Sequence, residues 1–158
     1  MTRRTAIVCA MAEELGRLHD DMAPGAQCLQ RGGREFWVGQ LAQREVVIVL
    51  SRIGKVAAAT TATLLATRFD LSGIVFTGAA GGLGAGVQVG DVVVARSLLQ
   101  HDMDASPLFP RFEVPLYGRA RFDSDATLSL AAAGAAQAAL DDSPSQRLTA
   151  DMPSLAPA

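Results

Sequence analysis

The sequence predicts an α/β fold, a central mixed sheet flanked by helices in three layers. Three observations carry this expectation. Two short runs, TAIVCA at Thr5–Ala10 and GIVFT at Gly73–Thr77, are continuously apolar and partly β-branched, as strands covered on both faces are. Helical patterns alternate with the strand patterns, the order expected of a parallel or mixed sheet. A Gly-rich stretch follows the second run directly, where open α/β sheets place their ligand loops.

The elements follow in order. Thr5–Ala10 is the first buried strand. A helix is expected over Ala12–Met22, because Leu15, Leu18 and Met22 share one face and charges occupy the rest. Pro24 and Gly25 stop it. Gly32–Gly33 reads as a turn, and Glu35–Leu41 and Glu45–Ser51 as paired strands around the polar turn Ala42–Arg44. Val56–Phe69 is rich in Ala and Leu and predicts a helix; its threonines lower intrinsic propensity, so packing must contribute. Gly73–Thr77 is the next buried strand. Gly78–Gly90 carries six glycines in thirteen residues and reads as a loop. DVVVARSLL, Asp91–Leu99, returns as strand. His101–Tyr117, punctuated by Pro107, Pro110 and Pro115, reads as an irregular excursion. Ser124–Leu140 is helical, with Asp123 or Ser124 as N-cap. Residues 141–158, DDSPSQRLTADMPSLAPA, lack periodicity and read as a disordered tail.

Composition bounds the function. The 158 residues suit one domain, on a prior of about 150 residues each, and suffice for a core without metal or disulfide staples. Fourteen basic against sixteen acidic residues, with 5% aromatics, offer neither a broad basic face nor a base-stacking platform, so nucleic acid is not an expected partner. No apolar run approaches the ~20 residues of a membrane helix. The apolar stretch before Glu13–Glu14 is too short for a signal sequence. Cys9 and Cys28 make no disulfide framework, and a cytoplasmic location is expected.

Several residues could carry chemistry. The loop TGAAGGLGAG is not a dinucleotide fingerprint: with Gly82 and Gly84 as the first pair, Val87 stands where the third glycine belongs. It is not a Walker loop either, since Gly54–Lys55 has Val49 at the upstream glycine position. Glu13 and Glu14 sit where the first strand gives way to the first helix. A carboxylate there can take a proton from water, or simply favour the helix dipole. In His101, Asp102 and Asp104 an extended chain points the histidine away from both aspartates, poor geometry for one metal ion. His19 falls on the charged side of the first helix and reads as solvated. No G-x-S-x-G elbow is present.

Taken together, AIVCAMAEEL, SRIGKVAAA, FTGAAGGLGAGVQVGDVVVA and HDMDASP resemble, in order and spacing, the 5′-methylthioadenosine/S-adenosylhomocysteine nucleosidases of the nucleoside phosphorylase/nucleosidase superfamily. The resemblance covers Thr5 to Leu140. It implies hydrolysis of the bond between adenine and a 5′-thio-substituted ribose, through a transition state resembling a ribosyl oxocarbenium ion. It places the water-activating glutamate on Glu14. The adenine- and ribose-side loop falls on Ala79, Ala80 and Gly81, and further substrate-lining positions on Met11 and Ile53. A partner subunit is expected to close the alkylthio pocket, through Phe109 and Pro115. A small nucleoside and a second copy of the chain are the implied partners; no cofactor or metal is implied, and neither is a membrane.

Two departures shape the expectation. Where the family commonly has Ser in TGSAGG, this chain has Ala79. Family members are also longer, and their second half supplies an aspartate that protonates adenine at N7 and a Met–Glu pair that grips the ribose hydroxyls. Asp141, Asp142 and Asp151 lack the surrounding motif and do not take that role. Residues 1–140 are therefore expected to be the N-terminal part of such a domain, truncated, with weak or absent activity. The alternatives are a non-catalytic pairing fragment and a purine nucleoside phosphorylase. Against the phosphorylase, AMAEE presents Glu14 where phosphorylases present Gly and Arg.

Overall fold

Period-two alternation organises the first of two compact units, Met1–Ala80. In the computed structural model, which describes residues 3–16, 18–142 and 147–149, five strands form one mixed sheet. They are β1 (Arg4–Cys9), β2 (Gln27–Arg31), β3 (Arg34–Leu41), β4 (Arg44–Leu50) and β5 (Leu71–Phe76), in the order β2-β3-β4-β1-β5. β1 runs parallel to both neighbours, with Ile7 opposite Ile48 of β4 and Val75 of β5. β2, β3 and β4 are antiparallel.

Successive strand residues face opposite ways. Ala6, Val8, Phe36, Val47 and Val49 therefore share one cluster with Leu65 of α2 (Lys55–Arg68). Val46 and Ile48 meet Met22 on the other face, with Ile7, Leu15, Leu18 and Trp37 packed around them. A sheet with an apolar cluster on each face gives the layered architecture that the sequence predicts.

Both hairpins turn on two residues with positive φ, Gly32–Gly33 (55° and 70°) and Ala42–Gln43 (47° and 62°), the geometry that suits the twist of paired strands. Along α2, Thr60, Thr61, Thr63 and Thr67 each donate to the carbonyl four residues earlier. This absorbs the hydroxyls that weaken its propensity.

Three expectations are corrected in this unit. The first helix is much shorter than Ala12–Met22: α1 is Ala12–Leu15, ended by Gly16 at φ 53°. Leu18 and Met22 still reach the core from the turns that follow, because burial needs the apolar spacing and not the helix. The strand over Gly73–Thr77 is not buried on both sides. β5 is an edge of the five, and its Ile74 and Phe76 are exposed. Finally, β2 has a polar, mostly exposed sequence that carries no strand signal; its ladder with β3 makes it one.

The second unit is Gly81–Ala158. Its elements are β6 (Asp91–Val93), β7 (Ser97–Leu99), β8 (Arg121–Asp123), α3 (Ala126–Asp141) and β9 (Arg147–Thr149). The expected single strand Asp91–Leu99 is two strands with different partners: β6 pairs parallel with β9, and β7 antiparallel with β8. The cap of α3 is Asp125 rather than Asp123 or Ser124; its carboxylate accepts from the Leu128 N–H at 2.8 Å. Of the stretch expected as a tail, Asp141 ends α3 and Arg147–Thr149 form β9. Residues 143–146 and 150–158 lie outside the described residues. Among the described residues no helix is long and apolar enough to cross a membrane.

Candidate functional site

Because β4, β1 and β5 are parallel, their carboxyl ends emerge at one edge of the sheet. The loops into α1, into α2 and out of β5 all leave from this edge. It is also where the strand order reverses, since the strands following β1 return beside it as β4 and the next crosses to its other side as β5. Open α/β sheets bind ligands at such a switch point.

Glu14 occupies that position. Its Oε2 accepts from the N–H groups of Ala10 (2.9 Å) and Met11 (3.0 Å), and its Oε1 accepts from the N–H of Ala79 (2.9 Å). One side chain thus joins the ends of β1 and β5, residues 65 apart in the chain. The Ala79 hydrogen bond contributes most to holding the carboxyl below the ordinary glutamate range; burial opposes this, and the Met11 and Ala10 bonds add to it. Donation to the charged form is the reason. The two readings of the sequence therefore coexist: Glu14 caps its own short helix through Met11, and reaches beyond it to the loop after β5.

Beneath Glu14 lie two fully buried residues, Cys9 and Ser51. Cys9 is fully buried, and burial, then the Glu14 charge, pushes its thiol up. The Cys9 carbonyl accepts from the Ser51 N–H (2.8 Å) and from Ser51 Oγ (3.3 Å), which ties the exit of β4 to that of β1. The next residue, Arg52, has φ 69° and donates from its guanidinium to the Gly33 carbonyl at 2.6 Å. This pins the loop in which Ile53 stands 75% exposed.

Of the residues the sequence singles out, Glu14, Met11 and Ala79 come into direct contact through these hydrogen bonds. Met11 is the N-cap of α1. Ile53 and Ala80 lie exposed in the other two loops of the same edge. Gly81, Phe109 and Pro115 belong to the second unit, Gly81 exposed and the other two half-buried. His19 departs from its solvated reading: its ring packs against Trp37 at 5.5 Å between centroids, with Nε2 2.9 Å from Asp20. A cavity of about 440 Å³ beside it is lined by Leu15, Arg34, Trp37 and Arg52 among others, and by none of the predicted site residues. Sequence reasoning missed the backbone donors of Ala10 and Ala79 as a cradle, and missed Gly78. Backbone N–H groups leave no mark in a sequence; a glycine directly after a strand is the one available signal.

A family model described as the phosphorylase superfamily matches residues 4–149. The chain belongs to that superfamily. The match continues past Leu140 to include β9. Among similar proteins, the 5′-methylthioadenosine/S-adenosylhomocysteine nucleosidase of Oceanobacillus iheyensis is 44% identical over 100 residues, 63% of this chain and 43% of its own. That of Listeria innocua is 43% identical over 63% of this chain and 42% of its own. The Neisseria meningitidis nucleosidase, solved in complex with methylthio-immucillin-A, superposes with a TM-score of 0.83 at 33% identity, covering 92% of this chain and 61% of that one. The Colwellia psychrerythraea nucleosidase, in complex with adenine, gives 0.83 at 34%, covering 94% and 60%. This phosphorylase-superfamily chain therefore spans about two fifths of the length of the curated relatives it matches.

Proposed function

We propose that this chain carries the water-activating side of a nucleosidase, one that hydrolyses the N-glycosidic bond of 5′-methylthioadenosine or S-adenosylhomocysteine and releases adenine. The single observation behind the reading is the Glu14 carboxylate, held ionised by three backbone N–H groups at the switch point of the sheet. Similarity to the nucleosidases supplies the substrate class.

The chemistry suits a carboxylate of low basicity. As adenine departs, the ribose gains oxocarbenium character. A water that attacks such a carbon becomes acidic as its new bond forms, so a weak base suffices to take its proton. The same negative charge stabilises the cation it faces. Met11 and Ile53 line the substrate, and Ala79, Ala80 and Gly81 its adenine and ribose side. Neither backbone conformation nor a neighbouring atom requires glycine at 81, leaving close ligand approach as its use. Phe109 and Pro115 close the alkylthio end across a homodimer. No metal or cofactor takes part, and the reaction belongs to cytoplasmic methionine salvage.

Adenine release from methylthioadenosine, with and without phosphate, tests this. The expected result is weak, phosphate-independent release, reduced about 10²–10⁴-fold by Glu14→Gln, the usual contribution of a general base. Strict phosphate dependence would move the chain to the phosphorylases. No release from folded chain would leave it a non-catalytic fragment.

A further inference from the structure

Gly78 lies between β5 and Ala79. Its φ is outside the left-handed region, so its backbone conformation suits any residue. What excludes a side chain is space. A Cβ at this position would stand 2.7 Å from Glu14 Oε1, 2.8 Å from its Cδ and 3.0 Å from Oε2. These are the three nearest heavy atoms beyond the chain neighbours, and all belong to Glu14. The group a side chain at 78 meets first is the Glu14 carboxylate.

We infer that Gly78 is a positioning residue: it opens the place in which the Glu14 carboxylate sits, and thereby fixes which of its oxygens faces water. A carboxylate offers about four acceptor positions. Two on Oε2 are taken by Ala10 and Met11, and one on Oε1 by Ala79. The remaining position is on Oε1, the oxygen that lies against Gly78. That atom accepts the water's hydrogen bond and then its proton as the sugar–oxygen bond forms and the sugar–adenine bond breaks; the products are a neutral carboxylic acid at Glu14, a hydroxyl on the sugar and adenine, which leaves with the electron pair of the broken bond and takes a proton from solvent. The inference rests on the reading of Glu14 as the water base for its catalytic meaning; the steric relation stands on geometry alone.

The carboxylate ends a flexible side chain. A methyl group at 78 therefore displaces it rather than the sheet, at the expense of its three hydrogen bonds. Gly78→Ala is expected to fold, to raise the Glu14 titration midpoint toward the ordinary glutamate value (followed by the carboxyl carbon resonance), and to speed hydrogen exchange at the Ala79 amide on the order of 10–100-fold, the worth of a hydrogen bond to a charged group. Adenine release should fall with it, and its acid limb should move to higher pH. A merely structural role would not move that limb. If Gly78→Ala does not fold, Gly78→Ala combined with Glu14→Ala should fold as well as Glu14→Ala alone, since the clash is gone.

An unchanged Glu14 titration and Ala79 exchange rate in folded Gly78→Ala would overturn the inference, as would a double variant no better folded than Gly78→Ala. Failure of the functional reading looks different. There Glu14→Gln leaves adenine release intact while Gly78→Ala still shifts the Glu14 titration.

Discussion

The two units bury their apolar residues very differently. In the first, strands of five to eight or so residues enclose Phe36, Val47, Ile48, Val49 and Leu65 with essentially no exposed surface. In the second, every strand is three residues long, and Leu140 is the one apolar residue of the buried core among those described. Each also holds a carboxyl below the ordinary range. Glu14 is held by backbone donors from two strand ends, Asp104 chiefly by the hydroxyl and then the N–H of Ser106, two residues away. The difference teaches that a depressed carboxyl is not by itself a site. Asp104 closes its own turn, whereas Glu14 reports on the assembly of a sheet.

The sharpest way to break this contrast is the core. Phe36→Ala should destabilise the first unit by about 3–5 kcal/mol, the usual loss for a fully buried phenylalanine. Trp37, the single tryptophan, provides the fluorescence that reads it during denaturant unfolding. A smaller loss would mean that the first unit is not the well-packed one.

Acid is the next lever. A carboxyl whose folded pKa is lowered contributes stability that is present above its unfolded value and is lost as pH falls through the folded one. Glu14→Gln should therefore flatten the acid limb of stability seen at Trp37, while Asp104→Asn should leave that transition in place. Equal effects would erase the distinction between the two carboxyls. The smallest effect belongs to Leu130, 76% exposed on α3. Leu130→Ala should cost less than about 0.5 kcal/mol in the same denaturation, the range of exposed positions, and a larger cost would show that the residue is covered in solution.

Much of the fold was legible because strong local signals agreed with the pairing. TAIVCA and REVVIVL are apolar enough to be central strands, Gly32–Gly33 forms a hairpin turn, and Val56–Phe69 lacks any breaker. The failures arose where a partner decides. QCLQR became β2 through its ladder with β3, and DVVVARSLL broke in two because β9 and β8 claim its halves. Within the site, Glu14 stood out as an acid at a strand exit. Its donors did not, since Ala79 reaches it only once β1 and β5 are side by side.

That last dependence has a kinetic side. Parallel neighbours cannot be joined by a tight turn, so β1 must find β4 and then β5 across long intervening chain, a slow kind of closure. The bond from Ala79 to Glu14 spans 65 residues and needs β5 beside β1. The chain therefore cannot complete the cradle of Glu14 early: Ala10 and Met11 lie beside it in sequence, but the third donor arrives only when β5 has joined β1.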